Sequence, residues 1–144
     1  MTLVDTCILL DVVQPDPSWL DWSLDQLELA ANRGPLLINP VIYAELAAGY
    51  SSIESAEVAL AGFGTRLEEL PREALFLAGK AYRQYRERRG TRSGVLADFF
   101  IGAHAAVRDI PVLTRDTSRI RTYFPTVVLI SPLGVMAARR CAPA

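Results

Sequence analysis

Histidine, lysine and cysteine are nearly missing from this 144-residue chain: one His (His104), one Lys (Lys80) and two Cys (Cys7 and Cys141). Two distant cysteines form no CxxC pair and no disulfide framework, so a reducing cytoplasm is the expected setting. Cys7 has no histidine near it in sequence, which argues for a small core residue rather than a nucleophile. Long apolar runs are absent too. Asp5, Asp11, Asp16, Asp21 and Asp25 interrupt the first apolar stretch, no later run approaches the length of a membrane span, and no membrane role is expected. The first basic residue is Arg33, so no secretory signal is expected at the start. What remains is 51% hydrophobic and 22% charged, a balance that excludes disorder, collagen and coiled coil and suits one domain with its own core.

Net charge is only −1, but it is unevenly spread. Residues 1–70 carry eleven acids and two Arg; residues 71–144 carry thirteen bases and five acids. Such a split suggests contact with nucleic acid or a charged partner, or two solvated faces of one domain.

Short apolar runs alternate with helical patterns. Thr2–Val4, Pro35–Ile38, Ile110–Thr114 and Val127–Ile130 read as strands. Asp16-Pro17 and Asn39-Pro40 each pair a capping residue with a proline suited to a first helical turn. Helices are expected from Pro17 to Asn32, from Pro40 through Glu45, over Ile53–Ala61, from Pro71 to about Arg89, over Ser93–Asp109, and briefly from Thr117. This alternation predicts an α/β domain: three layers, α/β/α, around a mostly parallel central sheet whose strands are apolar on both faces.

In such sheets, chemistry gathers beyond the carboxyl ends of the strands. Asp5 ends the first strand, Glu45 lies about two helical turns past the second, and Asp116 follows the third by two residues. Asp98 is embedded in the apolar segment Val95–Phe100, on a helix face with Gly102 and Ala105. It needs either a cationic partner or a functional reason to be there. Two carboxylates 5 Å apart repel by about 3 kcal/mol at an effective dielectric of 20. A group of four is held by protonation or by cations, and hard oxygen donors suit Mg²⁺ or Mn²⁺. Metal-assisted hydrolysis of a phosphate ester is the matching chemistry, and the lack of a nearby histidine base agrees with a metal-activated water.

The segments Leu3–Thr6, Pro40–Leu46, Ala97–Ala105 and Val112–Thr117 through Tyr123-Phe124-Pro125 resemble, in order, the four acidic blocks of PIN domains, and among these the VapC-type toxin ribonucleases of prokaryotic toxin–antitoxin pairs. The resemblance spans residues 1–132, leaving 133–144 as a C-terminal tail with no inherited role. It implies that Asp5, Glu45, Asp98 and Asp116 form a catalytic quartet. Asp5, Asp98 and Asp116 would hold Mg²⁺ or Mn²⁺, and Glu45 would be a ligand or orient water. It further implies endonucleolytic cutting of RNA to 5′-phosphate and 3′-hydroxyl ends, a cognate antitoxin and a homodimer. Cys7 stands where the family often has Ser.

Other residues are candidates by position. Thr6 and Thr114 flank the acids, where their hydroxyls orient a carboxylate or a water, or cap the next turn. Arg115, beside Asp116, is placed for a substrate phosphate. Arg83, Arg86 and Arg89 recur along one helix side with Arg88 and Arg92 nearby, as an RNA-backbone contact or a solvated helix end. In the same helix Leu75, Ala78 and Tyr82 share one apolar stripe. His104 is 120° off the Asp98 face and reads as a structural or surface histidine rather than a general base. In the 17–32 helix, Leu20, Leu24, Leu27 and Ala31 form the expected core stripe. Trp19, Trp22 and Leu29 form a second stripe, expected to meet a partner chain unless a loop covers it. The apolar surplus of the 53–61 helix is an alternative interface.

Three rivals meet specific obstacles. A haloacid-dehalogenase-type phosphatase needs an acid two residues after Asp5, where Cys7 stands. A response-regulator receiver needs a lysine at a late strand end, and Lys80 is inside a helix. A non-cutting PIN-like module that binds RNA or protein has no reason to keep four repelling carboxylates.

Overall fold

A computed structural model describes residues 1–136. Its strands are β1 (Thr2–Val4), β2 (Leu36–Ile38), β3 (Thr65–Leu67), β4 (Val112–Leu113), β5 (Leu129–Ser131) and β6 (Gly134–Met136). They form one sheet in the order β3-β2-β1-β4-β5-β6, parallel except for the β5–β6 pair. The helices are α1 (Thr6–Val13), α2 (Leu20–Arg33), α3 (Pro40–Ala47), α4 (Ile53–Phe63), α5 (Arg72–Glu87), α6 (Leu96–Arg108) and α7 (Ser118–Tyr123). They pack on the sheet in the three-layer α/β/α arrangement that the alternation of elements predicts.

Strand burial follows strand position. The inner strands β1, β2, β4 and β5 are buried throughout, as expected of strands covered on both faces. The edge strand β3 is largely exposed and carries Arg66 at its centre, a charge that discourages pairing with another chain. Its single apolar Leu67 and short length explain why no strand is legible there. Beyond residue 132, Gly134–Met136 adds an antiparallel strand, so the expected tail begins inside the sheet; residues 137–144 lie outside the described residues.

Local chemistry sets the helix starts. The Asn39 side chain accepts the Ile42 N–H at 3.0 Å, with Pro40 in the first turn of α3. Ser52 caps α4 in the same way through the Ser55 N–H at 3.2 Å, and Gly64 ends it in the left-handed region at φ 66°. Asp16 also caps, but the turn it closes, through Ser18 and Trp19 N–H, precedes α2 rather than opening it. No helix among the described residues is long and apolar enough to cross a membrane.

The expected core stripe of α2 moves, and the apolar stripe of α5 is buried only in part. In α2 the buried residues are Ser23, Leu27 and Ala30, while Leu24 is exposed. The rotation follows from Asp11, which is buried on α1 and accepts the Ser23 hydroxyl at 2.7 Å. In α5 the buried stripe is Ala74, Ala78 and Ala81, and Leu75 is exposed. Small side chains let α5 lie close to α6, where Phe99 is the hub of an aromatic cluster with Tyr82, Tyr85, Tyr123 and Phe124.

Gly102 of α6 faces the buried Phe124 ring so closely that a methyl group there would fall inside it. Gly102→Ala is therefore expected to destabilise the chain by about 1–3 kcal/mol, despite the better helix propensity of alanine. Urea denaturation checks this, and an unchanged or raised midpoint would contradict it.

Candidate active site

The register of β1 with β4 builds the centre of the site. Val4 pairs with Leu113, so Asp5 and Thr114 leave the sheet side by side. The Asp5 N–H donates to the Leu113 carbonyl at 3.0 Å, and the Thr114 hydroxyl donates to Asp5 Oδ2 at 2.6 Å. That hydroxyl oxygen also accepts the Asp116 N–H at 3.1 Å, which shapes the loop presenting the second acid. From the first turn of α1, the Thr6 hydroxyl donates to Glu45 Oε1 at 2.8 Å and ties α1 to α3. Both threonine hydroxyls thus orient carboxylates.

Asp98 lies in the first turn of α6, where the helix dipole favours an acid. Its Oδ2 accepts from Arg119 Nη1 at 2.7 Å, and the same nitrogen lies 3.9 Å from Asp116 Oδ2. Asp116 Oδ1 in turn accepts the Ser118 N–H at 3.2 Å and the Ser118 hydroxyl at 2.9 Å, closing the start of α7.

Asp5, Glu45, Asp98 and Asp116, together with Thr6, Cys7, Leu10 and Ala48, line one open cleft of about 500 Å³. Four separate segments supply the four acids, and the electrostatics record the crowding. Burial pushes the Asp5 carboxyl above the usual carboxylate range, against the pull of the Thr114 hydrogen bond, and Asp116 raises it further. Glu45 is pushed up first by partial burial and then by Asp5 and Asp98, against the pull of the Thr6 hydrogen bond. Asp98 is raised by burial and by Asp5, with Arg119 pulling the other way. Burial and the Asp5 charge push the Cys7 thiol up to about 12, so it stays protonated and is a poor nucleophile.

This donor set fits a hard divalent cation. The cleft offers only carboxylate and hydroxyl oxygens beside one protonated thiol, and a cation would relieve the mutual repulsion that adds to burial in raising three of the acids. Among the described residues, no three His, Cys, Asp or Glu side chains converge into a ready-made ligand cluster.

Arg115 does not face the cleft as a free cation. Its Nε and one terminal nitrogen both donate to Asp11, each at 2.8 Å, and its guanidinium stacks over Trp19 at 5.1 Å. The fork expected for a phosphate is closed on a carboxylate that is only 3% exposed. Arg115→Ala should therefore cost about 3 kcal/mol or more in stability, because it strands a buried charge. A pure phosphate contact would leave the denaturation midpoint unmoved.

Arg86 is exposed near the end of α5, where it donates to the Gly90 carbonyl at 3.4 Å, and it does not line the cleft. Trp19 and Trp22 are half-buried and meet edge to face at 6.0 Å, with Arg115 covering Trp19; Leu29 is 49% exposed. His104 is fully buried. Its Nδ1 lies 3.3 Å from the Asn39 amide and its Nε2 3.2 Å from Glu68, and burial lowers its pKa below the usual histidine value.

Sequence reasoning missed Arg119, Ser118 and Asp11. Arg119 had a readable signal, three residues after Asp116 at the start of a helix, where side chains share a face. Asp11 had none, since its partner Arg115 is 104 residues away.

The chain is thus an α/β domain that collects acids from four segments at the carboxyl edge of a parallel sheet. The PIN domain family description matches residues 2–125, and the chain belongs to that family. Comparison with curated proteins gives no match. Among solved structures, the chain is similar to VapBC2 from Rickettsia felis bound to a DNA fragment from its promoter: 18% identity, TM-score 0.70, covering 90% of this chain and 97% of the other. DNA-bound VapBC from Salmonella typhimurium gives 18% identity and TM-score 0.65 over 90% and 96%. FitAcB from Neisseria gonorrhoeae gives 22% and 0.62 over 92% and 99%.

Proposed function

We propose that the chain is a Mg²⁺- or Mn²⁺-dependent endoribonuclease, the toxin of a type II toxin–antitoxin pair. The observation that carries this reading is the cleft itself, with Asp5, Glu45, Asp98 and Asp116 meeting in about 500 Å³. Asp5, Asp98 and Asp116 would hold the metal. When bound, it supplies a water acidified for attack and charge to oppose the phosphate oxygens. Thr114 keeps Asp5 aimed, and Thr6 does the same for Glu45, which is set to orient the attacking water and take its proton. Arg86 is assigned to a more distant stretch of RNA backbone. The structures of VapBC and FitAcB complexes that share this fold support a cognate antitoxin as partner. The exposed Leu29, on the stripe it shares with Trp19 and Trp22, is the proposed place for it or for a second copy in a homodimer.

The test is cleavage of a long single-stranded RNA by purified protein in Mn²⁺, in Mg²⁺ and in excess EDTA, with the new ends mapped. Cutting at defined internal sites that stops in EDTA is expected. Hydrolysis that continues unchanged in EDTA sinks the metal-dependent reading. For the interface, Trp22→Ala should change oligomeric state or weaken antitoxin binding by about 2 kcal/mol or more. A folded variant with neither change places the contact elsewhere.

A further inference from the structure

We propose that Arg119 is the cleft's own counter-ion. It holds Asp98 and Asp116 in the metal-free chain, gives them up to the divalent cation, and then turns its guanidinium to the substrate phosphate. This rests on the nuclease reading above.

Arg119 is the second residue of α7, three after Asp116, and its Nη1 reaches acids from two different segments: Asp98 Oδ2 at 2.7 Å and Asp116 Oδ2 at 3.9 Å. Both are proposed metal ligands. A carboxylate already neutralising a guanidinium is a weaker ligand for a cation, and a second positive charge beside the site opposes metal entry. Arg119 and a divalent ion therefore compete for the same two groups.

A cation that takes the two carboxylates frees the guanidinium for another anion. The Arg119 side chain is about one-fifth exposed, so it lies at the cleft wall rather than in the core. Its two carboxylate contacts are both made by Nη1, and a planar guanidinium fork matches a phosphate better than any other side chain. Arg115, the other arginine beside Asp116, is closed on Asp11. Among the described residues, Arg119 is thus the cation that the fold aims at Asp98 and Asp116, beside the acids where a substrate phosphate would be cut.

The test uses the full chain and the variants Arg119→Gln and Arg119→Lys. Mn²⁺ affinity is read by electron paramagnetic resonance without RNA, and kcat/KM on a single-stranded RNA is read at saturating Mn²⁺. Thermal melting shows that each variant is folded. Arg119→Gln should bind Mn²⁺ about three- to tenfold more tightly, since a competing, partly exposed ion pair is gone, yet lose about tenfold or more in kcat/KM. Arg119→Lys keeps the charge and loses the fork, so it should bind Mn²⁺ about as the parent does and still cut more slowly. Tighter metal binding with slower cutting is a combination that simple damage to the site does not produce. If Arg119→Gln unfolds, the lysine variant decides: parental Mn²⁺ affinity with slowed cutting supports the proposal, and parental cutting overturns it. Equal or weaker Mn²⁺ binding by folded Arg119→Gln, or unchanged kcat/KM, also overturns it while leaving the nuclease reading in place. A parent chain that neither binds Mn²⁺ nor cuts RNA overturns both.

Discussion

Asp5→Asn will abolish RNA cleavage and at the same time make the metal-free protein more stable. The carboxylate sits at the centre of the cleft, raised above its ordinary range by burial and by Asp116. Asparagine has the same shape, and its amide oxygen can still accept the Thr114 hydroxyl. What is lost is the charge that a metal would need. The drop in kcat/KM should exceed about a hundredfold, beyond the 10–100-fold typical of groups that only orient metal ligands. What is gained is relief from repulsion, so the melting temperature in EDTA should rise. Asp98→Asn should be equally inactive but gain less stability, because its carboxylate is already paired with Arg119. Paired activity and melting measurements check this. A folded Asp5→Asn protein that retains parental activity would count decisively against the site.

Adding Mn²⁺ to the metal-free chain should raise its melting temperature by several degrees. A ligand at a hundred times its dissociation constant contributes about 2.7 kcal/mol, or roughly 5–10 °C for a domain of this size. The response should depend on pH in a defined direction. Asp5, Glu45 and Asp98 all have folded pKa values raised above their unfolded ones. Their contribution to stability is therefore fully present below about pH 4, the ordinary carboxylate pKa, and is lost as pH rises through the raised folded values. In EDTA, the stability advantage of Asp5→Asn over the parent should grow with rising pH. In Mn²⁺ it should shrink or reverse, since the cation now favours the ionised parent. Melting curves between pH 4 and 8 in both buffers would show this, and a parent protein indifferent to Mn²⁺ at pH 8 would exclude a metal site built on these acids.

The residues Pro40–Leu46 show how far local chemistry reaches. Asn39 and Pro40 together specify a helix start, and with it the two turns that carry Glu45 toward the sheet edge; the structure places both as the sequence implies. Asp5 and Asp116 are legible for a similar reason, because an acid within a few residues of the end of an apolar strand has one address in a parallel sheet. Helix α1 was not legible. Its segment Cys7–Val13 is apolar almost all round, so no periodic face marks a helix, and its one polar residue, Asp11, points inward.

The alternation of strands and helices, the polarity of the sheet and the edge where the acids gather were thus determined by sequence alone, since caps, apolar runs and strand-end acids act within a few residues of themselves. Only the tertiary structure decided which cation meets which carboxylate. Arg115 lies next to Asp116 in sequence, yet it closes on Asp11 of α1 and leaves Arg119 to face the cleft. A guanidinium pairs with the acid that packing brings within about 3 Å and shields from water, and that choice depends on how α1, α2 and α7 stack rather than on spacing along the chain.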